Sequence, residues 1–412
     1  MKNSPSMAAR VCAPVAVAVA LATAAFDATA GDFYVQHNLV SDGSINADHT
    51  DANLKNPWGI VFNPAGPVWV ANNGTGTATL YDGDGNAVPL VVQIPGPANA
   101  TTPGVPTGVV FNGGTAFIIT KSNVTGAARF IFATEDGTLA GWAPNVDMTH
   151  AITMIDNSKG NAVYKGLAMT GAGNGSLLYA TDFHNNRVDV FDSNFKQVTL
   201  SGKFADPSLP PGFAVFGIQA IGGNLYVSYA VQDAEKKDDV KGAGLGIINV
   251  FDPNGNLLQR LATAGPLNSP WGMVLAPAGF GHQSNRLLVG NFGDGHINVF
   301  NLSTGTSEGQ LCDGNNSPIV ISGLWGLAFG NGFAAQPVNT LFFAAGINEE
   351  KGGLYGRITL NANSSYSPTK DCGGTTTTTG GTGGAGGSAT TDGNGGTTTT
   401  DGGGTTTTTS GS

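Results

Sequence analysis

Two short segments carry an aspartate and a histidine separated by one residue: Asp182 with His184, and Asp294 with His296. On an extended chain, residues two apart point to the same side, so each pair can present both side chains to one ligand. Carboxylate oxygens and imidazole nitrogens bind Ca²⁺ or Zn²⁺, which makes these four residues candidate metal ligands. The alternative is that they are surface turn residues, because Asp and Asn favour turns through local hydrogen bonds.

The two pairs fall at similar places in a repeat that runs through the middle of the chain. Each repeat opens with a short apolar strand that contains a glycine, and successive glycines lie between 49 and 58 residues apart, which is the size of a propeller blade. These head glycines are Gly59, Gly108, Gly166, Gly217, Gly272 and Gly326. A second apolar strand follows each head, as at 68–71 in the first repeat and 116–119 in the second, and a third ends in an aromatic residue, as at Phe251. Four strands per repeat without helical periodicity predict an all-β fold, a six-bladed β-propeller of four-stranded blades.

The strand count predicts how the ring closes. Repeats one to five each have a candidate fourth strand, whereas the sixth ends after its third strand, near residues 354–360. The missing strand can come from residues 33–40, which precede the first head, so we expect closure by this N-terminal strand and no open sheet edge. A seven-bladed ring would need a further repeat that the sequence does not contain.

In this strand order, the turns after the second strands and the crossovers into the first strands surround the mouth of the central channel, where several blades can reach one ligand. We therefore predict ligand-binding residues in the turns. They are Asn72, Asn73, Lys121, Asp182, His184, Tyr229, Asn291, Asp294, His296 and Glu349. The turns also contribute Asn185 and Asn348, and the crossovers contribute His49, Asp51, Asn53 and Asn56.

Several other motifs have plain structural explanations. Asp82-x-Asp84-x-Asn86 resembles the start of a calcium loop but lacks the downstream glutamate, so a hairpin turn explains it. The mixed-charge segment 233–241 is most simply a solvated loop.

Five tryptophans raise the question of sugar stacking. Trp58, Trp271 and Trp325 directly precede head glycines, so packing between blades explains them more simply than a sugar site. Trp142 lies off the repeat pattern and is the better candidate for an exposed aromatic side chain.

Composition restricts the class of protein. The 412 residues include 28 Asp and Glu against 18 Lys and Arg, a net charge of −10, which excludes a nucleic-acid role that depends on a basic surface. Residues 1–30 are expected to be a signal peptide: Lys2 and Arg10 precede a mostly apolar run, and Ala28-Thr29-Ala30 offers a cleavage site. The run is short for a membrane span, so we expect none after cleavage and a protein secreted outside the cell or into a periplasm.

The rest of the chain is expected to form a propeller domain over residues 31–366 and a disordered Gly/Thr-rich tail over 367–412, which cannot bury enough apolar surface to fold. After cleavage, two cysteines remain, Cys312 and Cys372. They form one disulfide in an oxidising compartment, or stay as two free thiols. We expect a monomer.

The head segments, and turns of the type Phe-Asp-x-x-Gly at 251–255, resemble those of NHL-like six-bladed propellers over residues 32–361. The opening Asn-x-x-x-Asn-Pro-Trp-Gly (Asn53, and Asn56 to Gly59) is similar to that of secreted bacterial propellers known only as conserved hypothetical proteins. The resemblance implies the fold strongly and the function weakly, because enzymes and binding scaffolds share it.

Two functional hypotheses follow. The first is a secreted binding or scaffold protein that presents a polar channel-mouth face to an unknown ligand or protein partner. The second is a metal-dependent lyase or hydrolase with a divalent metal, Ca²⁺ or Zn²⁺, at the mouth, which would need Asp182, His184, Asp294 and His296, or some of them, to converge.

Overall fold

The fold consists of short strands arranged in small sheets. In the computed structural model of the chain, the described residues are Met1, 33–171 and 173–361. The predicted signal peptide, the tail from 367 onward and Cys372 lie outside them. The strands are, in chain order, β1 (Phe33–Ser41), β2 (His49–Thr50), β3 (Pro57–Phe62), β4 (Val68–Asn72), β5 (Thr77–Tyr81), β6 (Val92–Gln93), β7 (Pro106–Phe111), β8 (Ile118–Lys121), β9 (Val124–Ala127), β10 (Phe130–Thr134), β11 (Thr138–Trp142), β12 (Ile152–Asp156), β13 (Tyr164–Thr170), β14 (Leu177–Asp182), β15 (Arg187–Phe191), β16 (Gln197–Val198), β17 (Phe213–Ile221), β18 (Asn224–Gln232), β19 (Asp239–Val240), β20 (Ile247–Phe251), β21 (Leu257–Thr263), β22 (Pro270–Leu275), β23 (Leu287–Asn291), β24 (Ile297–Phe300), β25 (Ser307–Gln310), β26 (Leu324–Phe329), β27 (Leu341–Ala345) and β28 (Leu354–Asn361).

Six sheets form the blades of a β-propeller. From the inner strand outward, blades one to five are β3-β4-β5-β6, β7-β10-β11-β12, β13-β14-β15-β16, β17-β18-β20-β21 and β22-β23-β24-β25. Blade six has the order β26-β27-β28-β1-β2. The second strands β4, β10 and β27 are buried along their whole length, because neighbouring blades cover both of their faces. The predicted all-β, six-bladed propeller is confirmed.

The last blade combines the two ends of the described chain. Strand β1 pairs antiparallel with β28, from Phe33 opposite Asn361 to Ser41 opposite Leu354. The hydroxyl of Tyr34 donates to the carbonyl oxygen of Phe280 at 2.9 Å, which ties β1 to blade five.

Blade two differs from the predicted strand assignment. The expected second strand at 116–119 is wrong: Ile118 begins β8, which pairs only with β9 in a small separate hairpin, while β10 is the second strand of the blade. The apolar stretch at 116–119 meets the strand criterion by composition, but Phe117 has a positive φ of 57°, which breaks the extended chain there. This error changes which turn of blade two reaches the channel mouth.

The head glycines determine how closely the blades approach. A Cβ on Gly59 would lie 2.5 Å from the carbonyl oxygen of Thr107 in the next blade. A Cβ on Gly217, Gly272 or Gly326 would likewise fall within 3.0 Å of the residue before the next head glycine, and Gly326 meets Trp58, which closes the ring from blade six to blade one. Real Cβ atoms do not come so close, so the inner strands can meet only where the side chain is a hydrogen atom.

Local contacts test two further predictions from the sequence, the hairpin turn at Asp82 and the exposed aromatic side chain at Trp142. In the turn at Asp82, the Oδ1 atom accepts hydrogen bonds from the backbone of Asp84 and Asn86, so the calcium-like motif is a hairpin turn. Trp142 is only 5% exposed, lies 4.7 Å from Trp69 between ring centroids and donates to the carbonyl oxygen of Met148. The expectation of an exposed aromatic at Trp142 is wrong.

Among the described residues, no helix has the length and apolar character needed to cross a membrane.

Gly326→Ala should destabilise the protein by about 1–3 kcal/mol, the usual cost of overpacking, because the added methyl group collides with the backbone of Trp58. Urea unfolding measures the change. Gly160→Ala is the matched control, since no atom lies within 4 Å of a Cβ at Gly160. Equal stability of the two variants would contradict the role of the glycine contact in ring closure.

Candidate functional site

Aromatic side chains from five blades meet near the axis of the ring. Trp58 and Trp325 stack with their ring centroids 3.5 Å apart, and Phe292 stacks on Trp325 at 3.8 Å. Trp271 meets both indoles edge-on. Trp58 and Trp325 are each 1% exposed, so their interpretation as core residues is confirmed. We call this set the aromatic floor: Trp58, Phe183, Phe216, Trp271, Phe292 and Trp325.

On the face of the aromatic floor that lies away from the mouth, the central channel is narrow at first. It widens with distance from the floor. Head glycines line a cavity of about 40 Å³ next to the floor. Farther along, a cavity of about 400 Å³ is lined by apolar residues at the far ends of the inner strands, among them Phe62, Phe111 and Phe329. The polar groups described below lie on the opposite side of the floor, at the mouth.

One lysine occupies a position of this central layer that is aromatic or threonine in the other blades. The residues directly before the head glycines are Trp58, Thr107, Lys165, Phe216, Trp271 and Trp325. Lys165 is 2% exposed, and its Nζ lies 5.1 Å from the ring centroid of Trp58. The indole N–H of Trp271 donates to the backbone oxygen of Lys165 at 2.9 Å. The charge of Lys165 is thus held within an otherwise aromatic layer.

Two carboxylates from different blades compensate this charge. Lys165 Nζ lies 2.5 Å from Oε1 of Glu135, in the turn after β10, and 3.0 Å from Oδ1 of Asp238, directly before β19. Burial alone lowers the pKa of Lys165, but the attraction of Glu135 and Asp238 and their hydrogen bonds outweigh burial, so the pKa is raised. Both carboxylates therefore favour the charged ammonium form of Lys165.

A chain of amides connects this ion pair to blade six. Asn73 Nδ2 donates to Oε2 of Glu135 at 2.7 Å, and Asn56 Nδ2 donates to Oδ1 of Asn73 at 3.2 Å. Asn56 Nδ2 also donates to Oε2 of Glu350 at 3.0 Å, while its Oδ1 accepts from the indole N–H of Trp325 at 3.2 Å. The polar layer is therefore hydrogen-bonded directly to the aromatic floor.

Three further groups complete this layer. Burial raises the pKa of Glu350, and repulsion from Glu135 adds to the effect. Burial also raises the pKa of Asp239, whose buried Oδ2 atom has no hydrogen-bond partner among the described residues. The Nζ atom of Lys241 lies 4.0 Å from the ring centroid of Phe292. We call the whole set the mouth network: Asn56, Asn73, Glu135, Lys165, Asp238, Asp239, Lys241 and Glu350.

Of the predicted ligand-binding residues, Asn73 belongs to the mouth network, as does Asn56 from the crossovers. Glu349 is one residue away from the network: its side chain is 87% exposed and pairs with Lys351, whereas the neighbouring Glu350 points into the network. Lys121 lies on the separate hairpin and pairs with Asp147 at 2.5 Å, so its placement at the mouth is wrong.

Other predicted residues serve their own blades. Asn72, Asp182, Tyr229 and Asn291 are buried. Asn72 donates to the hydroxyls of Thr77 and Thr79, and Asn291 donates to the carbonyl oxygen of Pro266 at 2.8 Å. The side-chain amides of Asn72 and Asn291 thus bond within their own blades, whereas their buried Oδ1 atoms and the Tyr229 hydroxyl have no hydrogen-bond partner among the described residues.

The four candidate metal ligands do not converge. Asp182 accepts hydrogen bonds from the backbone of Val163 and from Asn185, and His184 lines a separate groove beside Pro210. In another blade, Asp294 accepts from Asn268 and Asn291 and lies 3.1 Å from Nδ1 of His296. The part of the chain that the structure describes contains no group of three or more His, Cys, Asp or Glu side chains able to hold a metal ion. Each Asp-x-His pair is a local turn motif of its own blade, which is the alternative that the sequence left open.

Most of the mouth network was missed by sequence reasoning. Glu135 was missed because the second strand of blade two was misassigned, so the turn after it was sought at Lys121. Asp238 and Asp239 lie in the segment interpreted as a solvated loop; the side chain of Asp238 is indeed 65% exposed, but it also reaches Lys165. A usable signal existed for Lys165, since an alignment of the six heads places a lysine among aromatic residues.

Cys312 is disulfide-bonded. Its predicted partner, Cys372, lies outside the described residues.

Comparisons with known proteins place the chain in a family. No family model matches the sequence. Uncharacterized protein R648 of Acanthamoeba polyphaga mimivirus is 34% identical over 327 residues, which cover 78% of this chain and 78% of that protein. Uncharacterized protein L690 of the same virus is 33% identical over 328 residues, which cover 78% of this chain and 84% of that protein. The chain belongs to the family of these two proteins.

These relatives are viral, whereas the resemblance in the sequence pointed to bacterial proteins. The NHL-like assignment stays a prediction.

Solved structures similar to this chain were also found. Virginiamycin B lyase from Staphylococcus aureus has a TM-score of 0.41 and 15% identity, with 80% of this chain and 100% of that chain covered. A protein of unknown function from Bacteroides thetaiotaomicron has a TM-score of 0.49 and 12% identity, with coverages of 80% and 76%. A glucose dehydrogenase has a TM-score of 0.47 and 12% identity, with coverages of 78% and 99%.

Glu350→Gln should stabilise the protein at pH 7.5. A carboxyl group whose pKa is raised on folding lowers stability as the pH rises from its unfolded pKa through its folded pKa. Glutamine keeps an acceptor for Asn56 but removes the charge. Thermal unfolding at pH 7.5 and pH 3.5 should give a higher Tm for the variant at the first pH and a much smaller difference at the second.

Glu349→Gln is the matched control. The pKa of Glu349 is lowered by its hydrogen bond to Lys351, so removal of this charge should not stabilise the protein at pH 7.5. A Glu350→Gln variant that behaves like Glu349→Gln would contradict the burial and repulsion assigned to Glu350.

Proposed function

We propose that this protein is a binding protein whose channel-mouth network receives a small polar ligand. The observation that carries the proposal is Lys165, a buried cation in a layer where the other blades place aromatic residues or threonine. Burying an ion pair usually stabilises a protein no more than apolar side chains of similar volume would. The ring does not need a charge at this position, so the network serves a purpose other than folding.

The position of the network supports the same conclusion. It combines groups from blades one, two, three, four and six at one end of the channel, which is where propellers offer one ligand to several blades. The aromatic floor beneath it is packed, so a ligand enters from the mouth side. Asp238 keeps 65% of its side-chain surface exposed, which leaves part of the network open to solvent.

We test the proposal with Lys165→Met combined with Glu135→Gln. The double variant replaces the buried pair by an apolar chain and a neutral amide, and it should be as stable as the original protein or more stable, by up to about 4 kcal/mol. Lys165→Met alone should lose about 3–5 kcal/mol, because Glu135 then stays buried without its counter-charge. Urea unfolding at pH 7.5 measures both changes.

Binding is then measured by thermal shift with a panel of sugars, organic acids, amines, amino acids and nucleosides. Compounds that stabilise the original protein should not shift the double variant, while Lys121→Ala, on the separate hairpin, should respond like the original. A double variant much less stable than the original would mean that the network exists for folding, and equal shifts for the double variant would place binding elsewhere.

We also propose that the protein acts outside the cytoplasm. The basic residues Lys2 and Arg10, the apolar run after them and the small residues 28–30 support export, and the disulfide at Cys312 fits an oxidising compartment.

Mass spectrometry of the exported protein should find Gly31 as its first residue. Digestion without reductant should link the peptide of Cys312 to that of Cys372. Retention of residues 1–30 in the exported protein would overturn the cleavage site, and a free thiol at Cys372 would overturn the pairing.

A further inference from the structure

One cation at the mouth is held by an aromatic face and not by an ion pair. Lys241 Nζ lies 4.0 Å from the ring centroid of Phe292, and the exposed Lys241 side chain forms no salt bridge within the described residues. An ammonium over a phenyl ring gains about 0.5–1 kcal/mol at an exposed site, which a competing ligand can replace. The ring of Phe292 is itself fixed by its stack on Trp325.

The groups around this cation carry negative charge. Burial raises the pKa values of Asp239 and Glu350 above their ordinary range, and the positive charges of Lys165 and, more weakly, Lys241 only partly offset this effect. The neighbouring Ser269 hydroxyl lowers the pKa of Asp239, but the buried Oδ2 atom of Asp239 forms no hydrogen bond in the described part of the chain. Two carboxyl groups thus share the positive charge of Lys165 and Lys241, and neither forms an ion pair of its own within the described residues.

A second ammonium group, that of Lys165, also lies over aromatic rings of the floor. Lys165 Nζ lies 5.1 Å from the ring centroid of Trp58 and 5.8 Å from that of Phe183. The two lysines differ in how they are held: Lys165 is buried and paired with Glu135 and Asp238, whereas Lys241 is exposed and unpaired. Lys165 is a permanent part of the site, and Lys241 occupies a place that it can leave.

We propose that the mouth network binds a small organic ammonium compound whose charged nitrogen replaces that of Lys241 on the face of Phe292. Asp239 and Glu350 provide the negative charge, and the Asp239 Oδ2 atom accepts a hydrogen bond from the ligand. An alkyl ammonium suits this place because it combines a charge for the carboxylates with carbon surface for the ring. The inference rests on the proposed function and adds the chemical class of the ligand.

The experiment is calorimetric titration of the full chain with 1,4-diaminobutane and with spermidine, with 1,4-butanediol as the uncharged control. Both amines should bind and the diol should not. Lys241→Ala should bind the amines more tightly, by about tenfold, because the internal competitor is gone. A site that merely attracts cations by its net charge would also gain affinity in this variant, so a second comparison is needed.

Phe292→Leu keeps an apolar side chain, smaller than that of phenylalanine, but removes the aromatic face, and it should weaken amine binding by about fivefold, equivalent to about 1 kcal/mol. Asp239→Asn and Glu350→Gln should each weaken binding by about tenfold. Glu349→Gln, exposed and paired with Lys351, should change the affinity far less than Glu350→Gln does. Circular dichroism and urea unfolding check that each variant is folded.

Three results would overturn the inference. These are no amine binding by the original protein, unchanged affinity in Lys241→Ala, or equal losses in Glu349→Gln and Glu350→Gln.

Failure of this inference can be distinguished from failure of the proposed function. If amines do not bind but another compound of the panel binds and is lost in the Lys165→Met, Glu135→Gln double variant, the mouth is a binding site for a different class. If no compound depends on the network, both conclusions fall.

Discussion

The close approach of six inner strands is the constraint on which the rest of the structure depends. At five of the six head glycines, backbone of the next blade lies within 3.0 Å of the position that a Cβ would take, and at Gly166 the nearest backbone atom is 3.1 Å away. The strands can therefore converge until their first residues meet, and the residue before each glycine is forced into the centre of the ring. Aromatic residues at four of these six positions fill that centre. The same contact that closes the ring thus produces the floor of the candidate site.

A charge in such a layer needs compensation from elsewhere in the fold. Lys165 is buried, and the other residues directly before the head glycines are aromatic or threonine, none of them charged. Its counter-charges come from the turn after β10 and from the insertion before β19, two segments at the same end of the ring. Asn73 and Asn56 then extend the hydrogen bonds to Glu350 and Trp325. The lysine at this one position of the central layer therefore accounts for the convergence of groups from five blades.

The sequence allowed the fold to be predicted well and the site poorly, and the reason is physical. Blade architecture depends on a repeated local pattern, apolar strands separated by turns, which six copies make readable. The site depends on where individual side chains point at the ends of those strands. An error of one strand in blade two exchanged Glu135 for Lys121, and an error of one residue exchanged Glu350 for Glu349. The Asp-x-His pairs appeared meaningful because their spacing recurs, but recurrence also follows from the same turn being built in two blades.

The mouth network contains more carboxyl groups than ammonium groups, and this imbalance affects the free energy of ionising the carboxyl groups. Glu135, Asp238, Asp239 and Glu350 face two ammonium groups, and burial raises the pKa values of Glu350 and Asp239. Ionising these two carboxyl groups in the folded protein costs more free energy than ionising them in water. The cation proposed as the ligand would reduce that cost without any change in the fold, because the ring holds the carboxylates in place. On the proposal of an ammonium ligand, part of the affinity comes from relief of this cost, and the glycine contacts of the ring hold the carboxylates that impose it.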